Sequence, residues 1–343
     1  MKLSRTAIKE LKARYLDILK KCAYLNAVII ASSLAVNTVS ATTLGDFVRS
    51  EGDGVFDISV QGTENVYTIT DIDNPWNGGL PVSEGNKVIQ GVDSTLGAIN
   101  RADYVLAADG LIGVFVVPGP GSLTIRDLTI QNMMYAADIR EDANVTFNNV
   151  AISGIDGFEQ VYNEGIVDFI NTSINGSVEN AGVLTASASA FSGFEQTGGA
   201  ATLTGSEITG TLDVTGGTVN LDGATVGKKT TVRQDGMVIA TNGTTFADVE
   251  SAGTFTANGG SLSSLTSTGY ASLVSAQVNG ALDVIGGTVN LDATTVADKT
   301  TVGQDGTVIA TNGTTFAGVE NAGSFTANGG SLTSYQTQLE KQL

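Results

Sequence analysis

The chain repeats itself. Residues 211–263 recur 70 positions later as residues 281–333, with 41 of 53 aligned positions identical. A fold built on such a repeat must let the second copy continue what the first began, so it grows in one direction instead of closing around one central core. The 70 residues subdivide further. Segments open at Gly217, Gly236, Gly253 and Gly269, then again at Gly287, Gly306 and Gly323, giving a working period of 16–19 residues. Each segment reads alike: Gly, apolar side chains at the third and fifth positions, then apolar side chains near the tenth and thirteenth. Alternation at the third to fifth positions is the period of a strand with one buried face.

The template extends upstream, where the 70-residue identity has faded. Gly121 leads Leu123, Ile125 and Ile130, and Ala143 leads Val145, Phe147, Ile152 and Ile155. Gly165 leads Val167, Phe169, Ile174 and Val178. Gly182 leads Leu184, Ala186, Phe191 and Phe194, and Gly199 leads Ala201, Leu203, Ile208 and Leu212. Twelve segments therefore run from Gly121 onward. Burying four inward side chains stabilises a segment by roughly 1.5–3 kcal/mol each. Ordering some 18 backbone units costs roughly 1–2 kcal/mol each. A lone segment cannot persist, so the segments must stack. The fourth position faces outward and reads Thr124, Thr146, Asp168, Thr185, Thr202, Asn220, Ile239 and Thr256. Thr there is β-branched yet polar. The expected fold is all-β, a parallel β-helix, or β-solenoid. A propeller would need blades of 40–50 residues, and a leucine-rich solenoid would show a Leu/Asn framework. Calcium-binding nonapeptide rolls need a third glycine that "GGTVNLD" lacks.

The duplication tests the register. The 12 differences between the copies spare Val219, Leu221, Val226, Val238, Phe246, Val249, Phe255 and Leu262. Half of them fall at Gly223, Ala224, Gly227, Lys228, Arg233 and Asp248, which are assigned to corners or to the outside.

Composition agrees. Forty-three Gly supply corners, and four Pro leave the ladders unbroken. There is no His, and the one cysteine, Cys22, lies in the N-terminal segment. The repeat region therefore has no imidazole base, disulfide or thiolate metal site. Ala23–Val36 is an apolar run too short to span a bilayer comfortably. It follows Lys2, Arg5, Lys9, Lys12, Arg14, Lys20 and Lys21 and ends at Val39-Ser40-Ala41, the pattern of a signal peptide cleaved after Ala41. Its length resembles the extended signal peptides of Gram-negative autotransporters. Residues beyond 41 hold 10 basic against 33 acidic side chains. Such a surface repels nucleic acid and keeps a repetitive β-protein soluble. The expected organisation is a signal peptide at 1–41, an N-terminal cap with the first coils at 42–120, and repeats over 121–343. The 42–120 stretch shows strand-like pieces without a 17-residue rhythm, with Leu44–Val48 expected as a capping turn.

The stretch "KVIQGVDSTLGAINRADYVLAADGLIGVFVV", followed by "GSLTIRDLTIQNMMY", resembles the start of pectate-lyase-like β-helices. It is most similar to those of autotransporter passengers and polymorphic outer-membrane proteins. The resemblance implies a right-handed coil, export to the cell surface and adhesion. The family's translocator barrel has no counterpart here, and the sequence ends at "SYQTQLEKQL" partway into a unit. The expectation is a truncated product or fragment, or anchoring by something else.

Relatives of this type include polysaccharide lyases, with a carboxylate cluster for Ca²⁺ and an arginine base. Here Arg126 and Arg140 are the arginines near acids, namely Asp127, Asp138, Glu141 and Asp142. Stacking places Arg126 in a column with Asn148, Ile170, Ser187 and Thr204, which is no acidic cluster. The fourth-position column offers Asp168 alone among its first six members. Glycoside hydrolysis needs two facing carboxylates, and no column is expected to pair them. The Asn-Gly-Thr and Asn-Gly-Ser sequences at Asn175, Asn242 and Asn312 read as corners, because Asn and Gly tolerate left-handed backbone. No catalytic, metal or cofactor residue is assigned. The expected function is adhesive or structural contact with an extracellular surface, glycan or protein, after passage through the export machinery. The alternative is a lyase or glycoside hydrolase.

Overall fold

The computed structural model describes residues 43–59, 66–68, 80–92, 105–154 and 159–337. The assigned leader and its cleavage point lie outside the described residues. The described chain is a parallel β-solenoid of about 12 turns with almost no helix.

Stacking follows the glycine-led register. Val238 pairs with Phe255, Phe255 with Ala271, and Ala271 with Val289, as the template requires. The column continues through Val308 to Phe325 in one direction. In the other it passes Val219, Ala201, Leu184, Val167 and Val145 to Leu123. All but Phe325 are buried. A second interior column runs Ile125, Phe147, Phe169, Ala186, Leu203, Leu221. Its two phenylalanines stack at 5.3 Å, and the space beside Ala186 is filled from the next strand by Phe191, edge-on to Phe169 at 5.4 Å. Large and small residues therefore exchange places from coil to coil, which keeps a narrow interior filled.

One corner is built the same way in successive coils. Asp127, Asn149, Asn171, Ala188, Asn242, Ser275, Ala293 and Asn312 all have left-handed φ between 48° and 60°. This is the predicted role of Asn242 and Asn312. Asn175 instead lies within the strand Ser173–Asn180. Further round the corner, hydroxyls turn inward: Ser189 and Ser206 Oγ accept from the backbone N–H of the preceding coil, and Thr244 and Thr314 Oγ1 do likewise for Ala224 and Thr294. Ala224, assigned to a corner or to the outside, stands at this corner with its side chain inward. It is buried, and Thr294, its counterpart in the second copy, donates to the carbonyls of Leu273 and Asp292 at 3.0 and 3.1 Å. A second buried polar ladder links Asn163 Nδ2 to Asn180 Oδ1 at 2.6 Å, and Asn180 Nδ2 to Gln196 Oε1 at 3.0 Å. Each amide donates to the oxygen of the next, while Asn163 Oδ1 at the head of the ladder is buried without a partner.

Two further rungs precede Leu123. Lys87 stacks beneath Leu123, and Gly54 beneath Lys87. Their coils take 36 and 33 residues, the separations across which Ser122 meets Asn86 and Asn86 meets Asp53 in the same strands. These long excursions erase the 17-residue rhythm from the sequence. The helix Leu44–Arg49, capped by Thr43 Oγ1 accepting from Asp46 N at 3.1 Å, packs Leu44, Phe47 and Val48 onto this end. Gly54 has no side chain because a Cβ there would stand 2.7 Å from the Phe47 ring.

Candidate functional site

The sequence-derived neighbours of Arg126 are those found: Asn148, Ile170, Ser187 and Thr204. Its guanidinium donates to Gln90 Oε1, whose amide donates to Asp57 at 2.7 Å, a polar ladder on the solvent side. Asp127 sits on the left-handed corner and accepts from Asn149 Nδ2 at 2.9 Å. Glu141 and Asp142 are exposed beside a turn. Arg140 is different. Its guanidinium bridges Asp138 at 2.7 Å and Glu164 at 3.2 Å, and lies 5.7 Å from the centre of the Tyr162 ring.

That contact opens onto a feature the sequence reading ruled out. The outward column beginning at Asp138 continues as Tyr162, Glu179, Glu195, Asp213 and Thr231. It goes on through Glu250, Thr266, Asp283, Thr301 and Glu320. The expectation that no column gathers carboxylates is therefore wrong. The outward positions of each segment's first strand hold no such row, whereas the acids stand near the end of the segment, directly after an inward apolar residue. The signal was present as an apolar–acid pair: Val178-Glu179, Phe194-Glu195, Leu212-Asp213, Val249-Glu250, Leu282-Asp283 and Val319-Glu320.

The column is an open face. Three shallow grooves lie along it, of about 380, 350 and 300 Å³. Tyr135, Asp138, Arg140, Tyr162 and Glu179 line the first, and Thr266, Asp283, Ile285 and Thr301 are in the second. Thr231, Arg233, Glu250 and Thr266 border the third. Burial pushes the Asp138 carboxyl up from its ordinary value, against the pull of Arg140. Burial and the Asp138 charge raise the Tyr135 phenol. Tyr162 donates to Glu164 at 3.2 Å. Farther along, lysines flank the acids: Lys229 pairs with Glu250, and Lys299 with Glu320 at 3.2 Å, equivalent positions of the two copies.

Adjacent carboxylates here project from one sheet face, one per rung. They do not face each other across a cleft, which is the arrangement glycosidic cleavage requires. Asp138 is tied to Arg140. Among the described residues no group of three or more His, Cys, Asp or Glu is placed to hold a metal ion. What the face can do is hydrogen-bond and attract positive charge repeatedly along its length. No family model, curated protein or solved structure matches this chain.

Proposed function

We propose that the chain is a secreted, surface-exposed bacterial protein of the autotransporter-passenger type, a right-handed coil delivered by the signal segment 1–41. Its role is adhesive or structural contact and not catalysis. The observation that carries this reading is the outward column from Asp138 to Glu320, where carboxylates and hydroxyls recur at one position of successive rungs. A row of equivalent groups on a rigid, open face suits many weak contacts with an extended extracellular glycan or protein. A catalytic site would call for an enclosed pocket with converging groups. The acidic surface argues against nucleic acid as a partner.

Expression in a Gram-negative host tests both halves. Intact cells should be labelled by an antibody to residues 121–337, and the exported protein should begin at Thr42. Adhesion of those cells to glycan- or protein-coated surfaces should fall when Glu179, Glu195, Asp213, Glu250, Asp283 and Glu320 become Gln or Asn. Labelling only after lysis, with Met1 retained, would overturn the export half. Adhesion indifferent to all six substitutions would overturn the contact half.

A further inference from the structure

The last described coil is stacked on one side only. Among the described residues, its strands Ser324–Asn328, Ser331–Leu332 and Tyr335–Thr337 pair with the coil before them and with nothing after. The first copy contains the same coil with its cover in place. There Thr254–Asn258 and Ser261–Ser267 are paired on both sides, and Phe255, Leu262 and Leu265 are buried. At the same inward positions of the last coil, Phe325 is only partly buried, Leu332 is 39% exposed and Tyr335 46%. Tyr335 stands 5.9 Å from the Phe325 ring and its hydroxyl accepts from Asn321 Nδ2 at 3.1 Å, which fixes this apolar surface in place.

An open sheet edge is ordinarily blunted by charge, by Pro or by a covering element. The opposite end of the solenoid has such a cover, the helix Leu44–Arg49. Residues 323–337 contain no charged residue and no Pro, in a chain whose net charge is −18. The sequence after Thr337, QLEKQL, does not resume the template: Leu339 stands where Gly269 opens the covering coil of the first copy. The edge strand also complements itself. Turned about a two-fold axis through Thr326, Ser324–Asn328 runs antiparallel to its own copy. Phe325 then lies opposite Ala327 of the partner subunit, and Ser324 opposite Asn328 of the partner subunit. Large meets small on the inward side, hydroxyl meets amide on the outward side, and the free backbone groups of both edges find partners.

We infer that this edge docks a second copy of the chain, edge to edge, in a closed dimer. The helix covers the other end of each rod, so like ends meet and assembly stops at two copies. Burial of Phe325, Leu332 and Tyr335 against the partner supplies the apolar driving force that the covering coil supplies to Phe255, Leu262 and Leu265. The inference is independent of the reading of the acid column, which runs along the side of the rod.

Sedimentation equilibrium of residues 42–343 tests it. The mass should rise with concentration from one copy to two, and no further. Thr326→Lys sets two ammonium groups against each other on the two-fold axis and should weaken dimerisation roughly tenfold or more. Thr256→Lys, the equivalent outward position in the covered coil of the first copy, should leave dimerisation unchanged. A cooperative circular dichroism melt verifies that both variants fold. Thr326→Cys should cross-link two copies through a disulfide on oxidation in air, and Thr256→Cys should not. A single-copy mass at every concentration, or growth beyond two copies, would overturn the inference. So would a dimer that tolerates Thr326→Lys or that cross-links equally well through Thr256→Cys.

Discussion

Phe255 and Lys228 lie in the same duplicated stretch and should respond oppositely to truncation. Phe255 is fully buried and meets Phe246 edge-on at 5.2 Å. Phe255→Ala is expected to cost about 3–5 kcal/mol in chemical denaturation. Lys228 is exposed at a corner, and Lys228→Ala should stay within about 0.5 kcal/mol. Equal losses would put the register in error. Lys87 lies in the strand Asn86–Val92, and its inward direction is not legible in the sequence. It occupies the interior column, 1% exposed, and its ammonium donates to the carbonyls of Ser50 and Gly52 at 2.7 and 2.5 Å. It thereby closes the C-terminal end of the capping helix. Nothing in "NKVIQG" distinguishes that lysine from a solvated one, because its acceptors lie 35 and 37 residues away. Lys87→Met should cost about 1–3 kcal/mol, since it strands buried acceptors. Burial lowers the Lys87 pKa from 10.5, with Asp53 opposing. The folded state therefore binds this proton less well than the unfolded chain. The stability difference between wild type and Lys87→Met should grow as pH rises from neutrality through the lowered pKa toward 10.5, and level off beyond. A difference that shrinks over that range would contradict the buried placement.

At the scale of the coil, the strands were legible because the template fixes which side chains turn inward. Val219, Leu221, Val238 and Phe255 show this, being unchanged between copies and buried. The corners were half legible. Asn242 and Asn312 announce left-handed backbone, while Ala188, Ser275 and Ala293 adopt it with no such announcement. Stacking on neighbouring corners imposes that conformation against local preference. The inward hydroxyls at Ser189, Ser206, Thr244 and Thr314 were missed because Ser and Thr are ordinarily read as solvent-facing. The acid column is not legible in the outward positions of the first strand, which hold mostly Thr and Asn. If coils are the cooperative unit, they can be removed whole. Deleting residues 236–252, one coil from Gly236 to the residue before Gly253, should leave a cooperatively melting β-protein. Deleting residues 236–244 should shift every following side chain out of register and abolish the cooperative melt. Equivalent behaviour of the two deletions would argue against coil-by-coil stacking.

The whole molecule combines a rod, a net charge of −18 and one face where part of that charge is lined up. Acids spread along an open face give no reacting geometry, so polygalacturonate and related glycans should remain uncleaved with or without Ca²⁺. Turnover abolished by Arg126→Ala or Asp138→Asn would reinstate the enzyme reading. The architecture itself is the central claim, and its clearest signature is that distance grows linearly with coil number. Residues 42–343 contain no cysteine, so nitroxide labels can be introduced one pair at a time. One label belongs at Thr124, the other in turn at Thr185, Asn220, Thr256 and Asn290, all members of one outward column. Electron–electron resonance should return mean distances near about 14, 24, 34 and 43 Å, which are three, five, seven and nine steps of about 4.8 Å. Distances that plateau or reverse along this series would mean that the chain turns back on itself, and would contradict the solenoid and the contact face built on it.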